Sequence, residues 1–188
     1  EVGSGGSVCV GACVVGEAVG SGGEWCETVL ADRGGEVQAG TELGLSPDGV
    51  LFPGVGDTDV HINEPGRTGW EGFDHATRAA AAGGVTTVID MPLNSNPPTL
   101  SVDALELKQS IAAHKAYSEL GFWGGVDASN LGHLTALWDA GVFGFKCFLS
   151  PSGVDESGSL KYDALEEAMR ELASFGGQLI IHAEYRAA

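Results

Sequence analysis

From Val55 onward the chain alternates short apolar runs with longer stretches of helical period. VTTVIDMP (Val85 to Pro92), GFWGGV (Gly121 to Val126), GVFGFKCFL (Gly141 to Leu149) and GQLIIHAE (Gly177 to Glu184) are rich in β-branched and aromatic residues, the pattern of strands covered on both faces. LFPGVGDTDVH, ending at His61, precedes them as a first strand. Between the runs, WEGFDHATRAAAAGG is alanine-rich and stops at Gly83-Gly84, and SVDALELKQSIAAHKAYSEL opens on Ser101 with Ala104, Leu107 and Ile111 on one face. NLGHLTALWDAG carries Leu131, Leu134 and Leu137 with Trp138, and DALEEAMRELASFGG carries Leu165, Met169 and Leu172 before Gly176. Apolar residues three and four apart, closed by glycine, predict helices. Strand and helix in regular alternation predict parallel strands with crossover helices, an α/β fold.

Five strands and four helices occupy the roughly 135 residues after Pro53, whereas a closed (β/α)8 barrel takes eight of each and about 250 residues. The reading is a (β/α)8 TIM barrel truncated after about five strands. An open doubly wound sheet, complete at five strands, is the structural alternative. The first fifty residues differ in texture: Gly and Val abound, SVCVGACVV and WCETVL are β-type runs, and no helical period is present. Residues 1–50 are accordingly assigned to a small β-rich segment and 51–188 to the first part of the barrel.

Charge narrows the choice of partner. Nine Lys plus Arg against 26 Asp plus Glu give a formal net charge of -17, which repels polyanions and argues against nucleic acid or an anionic membrane as partner. No apolar stretch approaches the ~20 residues of a membrane span, and no basic segment precedes an apolar core at the N-terminus. The expected location is cytoplasmic. Cys9, Cys13, Cys26 and Cys147 show no C-x-x-C spacing and read as free thiols.

Barrel enzymes place their chemistry at the C-terminal ends of strands, and unusual polar residues cluster there. Asp57, Asp59 and His61 close the first strand, Asp90 the second, Asp127 follows the third, Lys146 lies in the fourth, and His182 with Glu184 closes the fifth. Asp90 and Asp127 serve equally well as helix caps or turn residues. His75, His114 and His133 fall in helical stretches and are read as surface residues. Lys146, flanked by Phe145, Cys147 and Phe148, predicts an ammonium whose burial is costly unless it is paired, neutral or modified. A snorkelling lysine is the plainer reading.

PGVGDTDVHINEPGRTGWEGF, AAAAGGVTTVIDMPLN, GFWGG, GVFGFKCFLSPSGVDE and IIHAE, in that order, resemble the allantoinase group of cyclic-amide hydrolases in the amidohydrolase superfamily. The resemblance runs from about Leu51 to Glu184. It implies two divalent metal ions, zinc being the expected pair. The two histidines of strand one hold the buried ion, a carbamylated lysine of strand four bridges both, and the histidine of strand five holds the second. Those positions are Asp59 and His61, then Lys146 with its carbamate, then His182. The family's strand-six histidine and strand-eight aspartate have no counterpart between Glu1 and Ala188, so no catalytic proton carrier is assigned within this chain.

Asp59 departs from the family's histidine. Carboxylate oxygen reaches zinc at nearly the distance of an imidazole nitrogen, about 2.0 to 2.2 Å, but adds negative charge. An impaired or empty first-metal site and a working carboxylate-substituted site both remain open. Asp57 is expected to orient its neighbours. Asn63 stands where dihydroorotase-like relatives carry an arginine for the substrate carboxylate, so an uncharged ureide ring such as allantoin suits it better. Asn94, Ser152 and Gly153 complete the candidate substrate contacts, with a loop role as the alternative for Asn63, Asn94 and Ser152-Gly153 alike. The resemblance implies a small-molecule substrate and a homo-oligomer when the protein is full length. The competing readings are a hydantoinase or dihydropyrimidinase, and a catalytically dead relative kept as a subunit or scaffold.

Overall fold

The computed structural model describes residues 12–17, 25–31, 37–44, 49–153 and 158–184, with side chains from Gly54 onward. Four strands come first: β1 (Ala12–Glu17), β2 (Trp25–Ala31), β3 (Val37–Gly44) and β4 (Gly49–Pro53). β1 pairs antiparallel with β4, Ala12 opposite Pro53, and β2 with β3, Trp25 opposite Gly44. Cys9 lies outside the described residues.

The chain then alternates as its periodicity predicts. The elements are β5 (Val55–Val60), α1 (Phe73–Ala82), β6 (Val85–Asp90), α2 (Val102–Ala112), β7 (Glu119–Phe122), β8 (Gly124–Gly125), α3 (Leu134–Asp139), β9 (Phe145–Phe148), α4 (Tyr162–Phe175) and β10 (Leu179–His182). β7 and β8 are halves of one run interrupted at Trp123. Pairing is parallel throughout: β5 to β6, β6 to β7, β8 to β9, and β9 to β10. Each run therefore lies beside the next one in sequence. A doubly wound sheet reverses its strand order at a switch point; these strands never reverse, so that alternative is set aside among the described residues.

The two faces of the sheet differ. On one, Phe122, Phe145 and Cys147 pack with Phe73 of α1, Leu105 of α2, Leu134 and Leu137 of α3, and Ala168 and Leu172 of α4 in one apolar core. On the other, Ile89, Met91, Leu93, Trp123 and Phe148 form a smaller cluster with Ile180 and no helical member. Strand alternation makes this division, since successive side chains point to opposite faces.

Helix ends are fixed by particular contacts. Ser101 caps α2, its hydroxyl accepting the Ala104 N–H at 3.2 Å. Gly72 offers α1 no side chain, and Glu64 Oε2 instead accepts the Phe73 N–H at 3.0 Å. Glu171 of α4 accepts the N–H groups of Gly132 and Leu134, each at 2.7 Å, and so anchors the start of α3. Gly176 ends α4 with φ 75, a conformation that a residue without Cβ adopts freely.

Three local expectations are corrected. α2 stops at Ala112, and Glu119 and Leu120, read as helical, begin β7. The turn between them is held by tertiary bonds: the Tyr117 N–H donates to Thr77 Oγ1, and the Ser118 hydroxyl donates to the Thr77 and Val85 carbonyls. Good helix formers yield to such contacts. Leu107 and Met169, expected in the core, are 43% and 53% exposed. In α2 the buried residues are Ala104, as read from the sequence, with Leu105, Lys108 and Ala112, Lys108 being paired with the buried Asp90 carboxylate. His133 precedes α3 and His114 follows α2, so of the three only His75 is helical.

Candidate metal and substrate site

The face opposite the helices receives the predicted metal ligands. Val60 and Ile62 belong to the helix-side core, so the alternating Asp59 and His61 turn the other way. Asp59 Oδ1 lies 3.6 Å from His61 Nε2, with the side chains 74% and 45% exposed. Phe145 and Cys147 likewise face the helices and leave Lys146 on the opposite side. Its ammonium sits 5.1 Å from the centre of the Phe148 ring, and Lys146 is half-buried rather than buried as its apolar neighbours predict. Phe148 lies opposite His182 in the β9–β10 register, and their rings are 5.5 Å apart. His182 Nε2 is 3.9 Å from Glu184 Oε2. The structure thus joins Asp59 with His61 on strand one, and Lys146 with His182 through Phe148 on strands four and five.

The spacing of the Asp59–His61 pair is compatible with a shared divalent ion. Two ligand atoms each about 2.1 Å from a tetrahedral ion stand roughly 3.4 Å apart, close to the Asp59–His61 separation of 3.6 Å. Among the described residues no group of three His, Cys, Asp or Glu side chains converges on one point. Asp59 and His61 therefore stand as a pair among the described residues.

The substrate candidates divide in two. Arg67 draws the first pair together: its backbone N–H donates to the Asn63 carbonyl at 2.9 Å, and its Nη1 to the Asn94 carbonyl at 3.0 Å. Asn63 is 8% exposed, and its side-chain oxygen has no hydrogen-bond partner, which is costly unless a ligand or water supplies one. Asn94 has φ 68, a left-handed conformation that asparagine tolerates. Ser152 is half-buried and Gly153 exposed with φ 84, both on the loop after β9. A cleft of about 490 Å³ opens at the ends of β9 and β10, lined by Leu149, Ser159, Leu160, Lys161, Tyr162, Ala183 and Glu184. It borders His182 along the chain, but none of the four metal candidates lines it.

Two strand-end acids point elsewhere. Asp127 Oδ1 accepts the Ser129 N–H at 2.7 Å and also the Ser129 hydroxyl, the bonds of a turn residue. Asp90 faces α2: its Oδ2 accepts from Lys108 Nζ at 2.7 Å, its Oδ1 from the Ile62 N–H at 2.7 Å, and both side chains are fully buried. Lys108 Nζ also donates to the Met91 carbonyl at 3.3 Å. Burial pushes the Asp90 carboxyl up to about 6, against the pull of Lys108 and the Ile62 and Met91 bonds. The Cys147 thiol is pushed up to about 11 by burial, with Lys146 opposing, so it stays protonated and unreactive.

Sequence reasoning overlooked Lys108, Lys115 and Trp123. The spacing of Leu105, Lys108 and Ala112 on one helical face was a usable signal for the first. Lys115 gives none, since it pairs with Glu64 across 51 positions. Trp123, 4% exposed, donates its indole N–H to the Thr58 carbonyl at 2.9 Å, a contact between strands that no local pattern announces.

Residues 50–187 match the model of the amidohydrolase family. The chain is 57% identical to an allantoinase of Streptomyces avermitilis over 157 residues, 84% of this chain and 35% of that protein. It is 48% identical to an allantoinase of Saccharomyces cerevisiae over 135 residues, 72% of this chain and 29% of that one. Among solved structures, the L-hydantoinase (dihydropyrimidinase) of Arthrobacter aurescens superposes with a TM-score of 0.67 at 32% identity, covering 70% of this chain and 29% of the other. The chain spans about a third of the length of these curated relatives. Together with the parallel architecture, the match over residues 50–187 makes this chain a member of the amidohydrolase family.

Proposed function

We propose that the chain supplies the first five strands of a (β/α)8 barrel in a metal-dependent cyclic-amide hydrolase, and that the protein opens the hydantoin ring of allantoin to give allantoate. The observation that carries the reading is the Asp59–His61 pair, set 3.6 Å apart on the face free of helices. Likeness to allantoinases over most of the chain supports the substrate. Asp59, His61 and His182 would hold two divalent ions, with zinc the expected metal and Lys146 bridging as a carbamate. When bound, such ions lower the pKa of water and polarise an amide carbonyl.

The chain's own residues do the rest. Asn63 presents an unpartnered amide oxygen that can accept from a ring N–H, and its neutrality favours an uncharged ureide over a carboxylate-bearing ring. Arg67 spans the Asn63 and Asn94 backbones and keeps their loops in register. Phe148 packs beneath Lys146 and beside His182, excluding water from one side of each. Ser152 and Gly153, on the loop after β9, complete the proposed substrate contacts.

The likeness to L-hydantoinase supports a second reading, a hydrolase of simpler hydantoins or dihydropyrimidines. Zinc content and ring opening of allantoin, hydantoin and dihydrouracil by the complete protein separate the readings. Asp59→His is expected to raise both zinc content and allantoin turnover, and Asp59→Ala to lower zinc content. Turnover of hydantoin without allantoin transfers the assignment to the second reading. A parent and an Asp59→His variant that both lack zinc and turnover leave a scaffold role.

A further inference from the structure

The β5–β6 ladder loses its register between Asp57, opposite Val88, and Val60, opposite Asp90. The peptide unit joining Thr58 to Asp59 therefore lies where regular ladder bonds are interrupted, as at a bulge. Both of its polar groups are satisfied by side chains. The Asp59 N–H donates to Asp57 Oδ1 at 3.1 Å, and the Thr58 carbonyl accepts the Trp123 indole N–H at 2.9 Å. One peptide plane, the one leading into Asp59, is thus gripped at both ends.

Trp123 is itself held firmly. It interrupts the third strand run, its backbone N–H donates to the Asp90 carbonyl at 2.9 Å, and its ring meets Phe143 edge-on with centroids 5.6 Å apart. It shares a cluster with Phe148, the residue against which Lys146 and His182 lie. A Cβ on Gly144 would stand 2.4 Å from Trp123 Cζ3, so the ring occupies space that glycine alone leaves open.

We infer that Trp123 is a positioning residue: through its indole N–H it fixes the peptide unit that carries Asp59, and so sets the Asp59–His61 pair against the strand-four and strand-five residues. This rests on the reading of that pair as metal ligands. Trp123→Phe keeps most of the ring and removes the donor, while Gly144→Ala keeps the donor and displaces the ring. In the complete protein, hydrogen exchange measured without metal is expected to quicken about tenfold in peptides covering 55–63 in both variants, with β9 and β10 at parent rates in Trp123→Phe. Zinc titration should show about tenfold weaker binding. Unchanged exchange in 55–63 for Trp123→Phe, or a uniform rise in every strand, overturns the assignment. Zinc affinity unaltered in a loosened variant overturns the link to the ligand pair. A parent that binds no zinc sinks the metal reading, and the exchange comparison then decides the positioning role alone.

Discussion

Replacing Asp90 by asparagine should flatten the protein's stability profile between pH 4 and pH 7. The carboxyl is fully buried, and its folded value is raised from 3.8 to about 6. A raised carboxyl binds its proton more tightly in the folded state than in the unfolded state. Its contribution is fully present below about pH 4 and is lost as pH climbs through about 6. The step from 3.8 to about 6 corresponds to about 3 kcal/mol at 1.36 kcal/mol per pH unit. The amide oxygen of the substituted side chain would still accept the Ile62 N–H and cannot titrate. Urea unfolding followed by circular dichroism at half-unit steps should show the parent losing about 3 kcal/mol more than Asp90→Asn across this range. Parallel profiles would refute the reasoning, and would mean that Lys108, at 2.7 Å, holds the acid ionised throughout. The complementary Lys108→Met variant leaves a buried carboxylate without its cation and should cost about 3 to 5 kcal/mol at pH 8, with part of the loss recovered at pH 5.

Two further outcomes can be checked directly. Lys146 in the metal-loaded protein should carry the mass of one added carbon dioxide in native mass spectra, and Lys146→Ala should lose bound zinc; a zinc-replete Lys146→Ala removes the bridging role. Leu134, fully buried at the start of α3, should cost about 2 to 5 kcal/mol on truncation to alanine, read as a lower urea midpoint, while Met169→Ala on the exposed side of α4 should change stability by less than about 1 kcal/mol.

Much of the architecture was legible because its signals are local. A period of 3.6 marked the helices and short β-branched or aromatic runs marked the strands, whereas the facing of Phe145 and Cys147 toward the helices, with Lys146 opposed, came from the fold. Glycine marked the end of α4. Polar residues near strand ends are visible in the sequence itself, while their assignment as metal ligands came from the family resemblance.

What the sequence left undecided depends on partners far along the chain. The helix-compatible residues that follow Leu105 do not tell where α2 stops; Thr77 and Val85, more than 30 positions away, do so by binding Tyr117 and Ser118. Asp90 reads as a cap or turn residue until Lys108 is seen beside it in the core. Sequential rather than reversed strand order is a property of pairing, not of any one strand. The Trp123 bond to Thr58 joins residues 65 positions apart at a place where the ladder fails. Hydrogen-bonding groups taken out of water must find partners, and only the tertiary fold decides which ones come within reach.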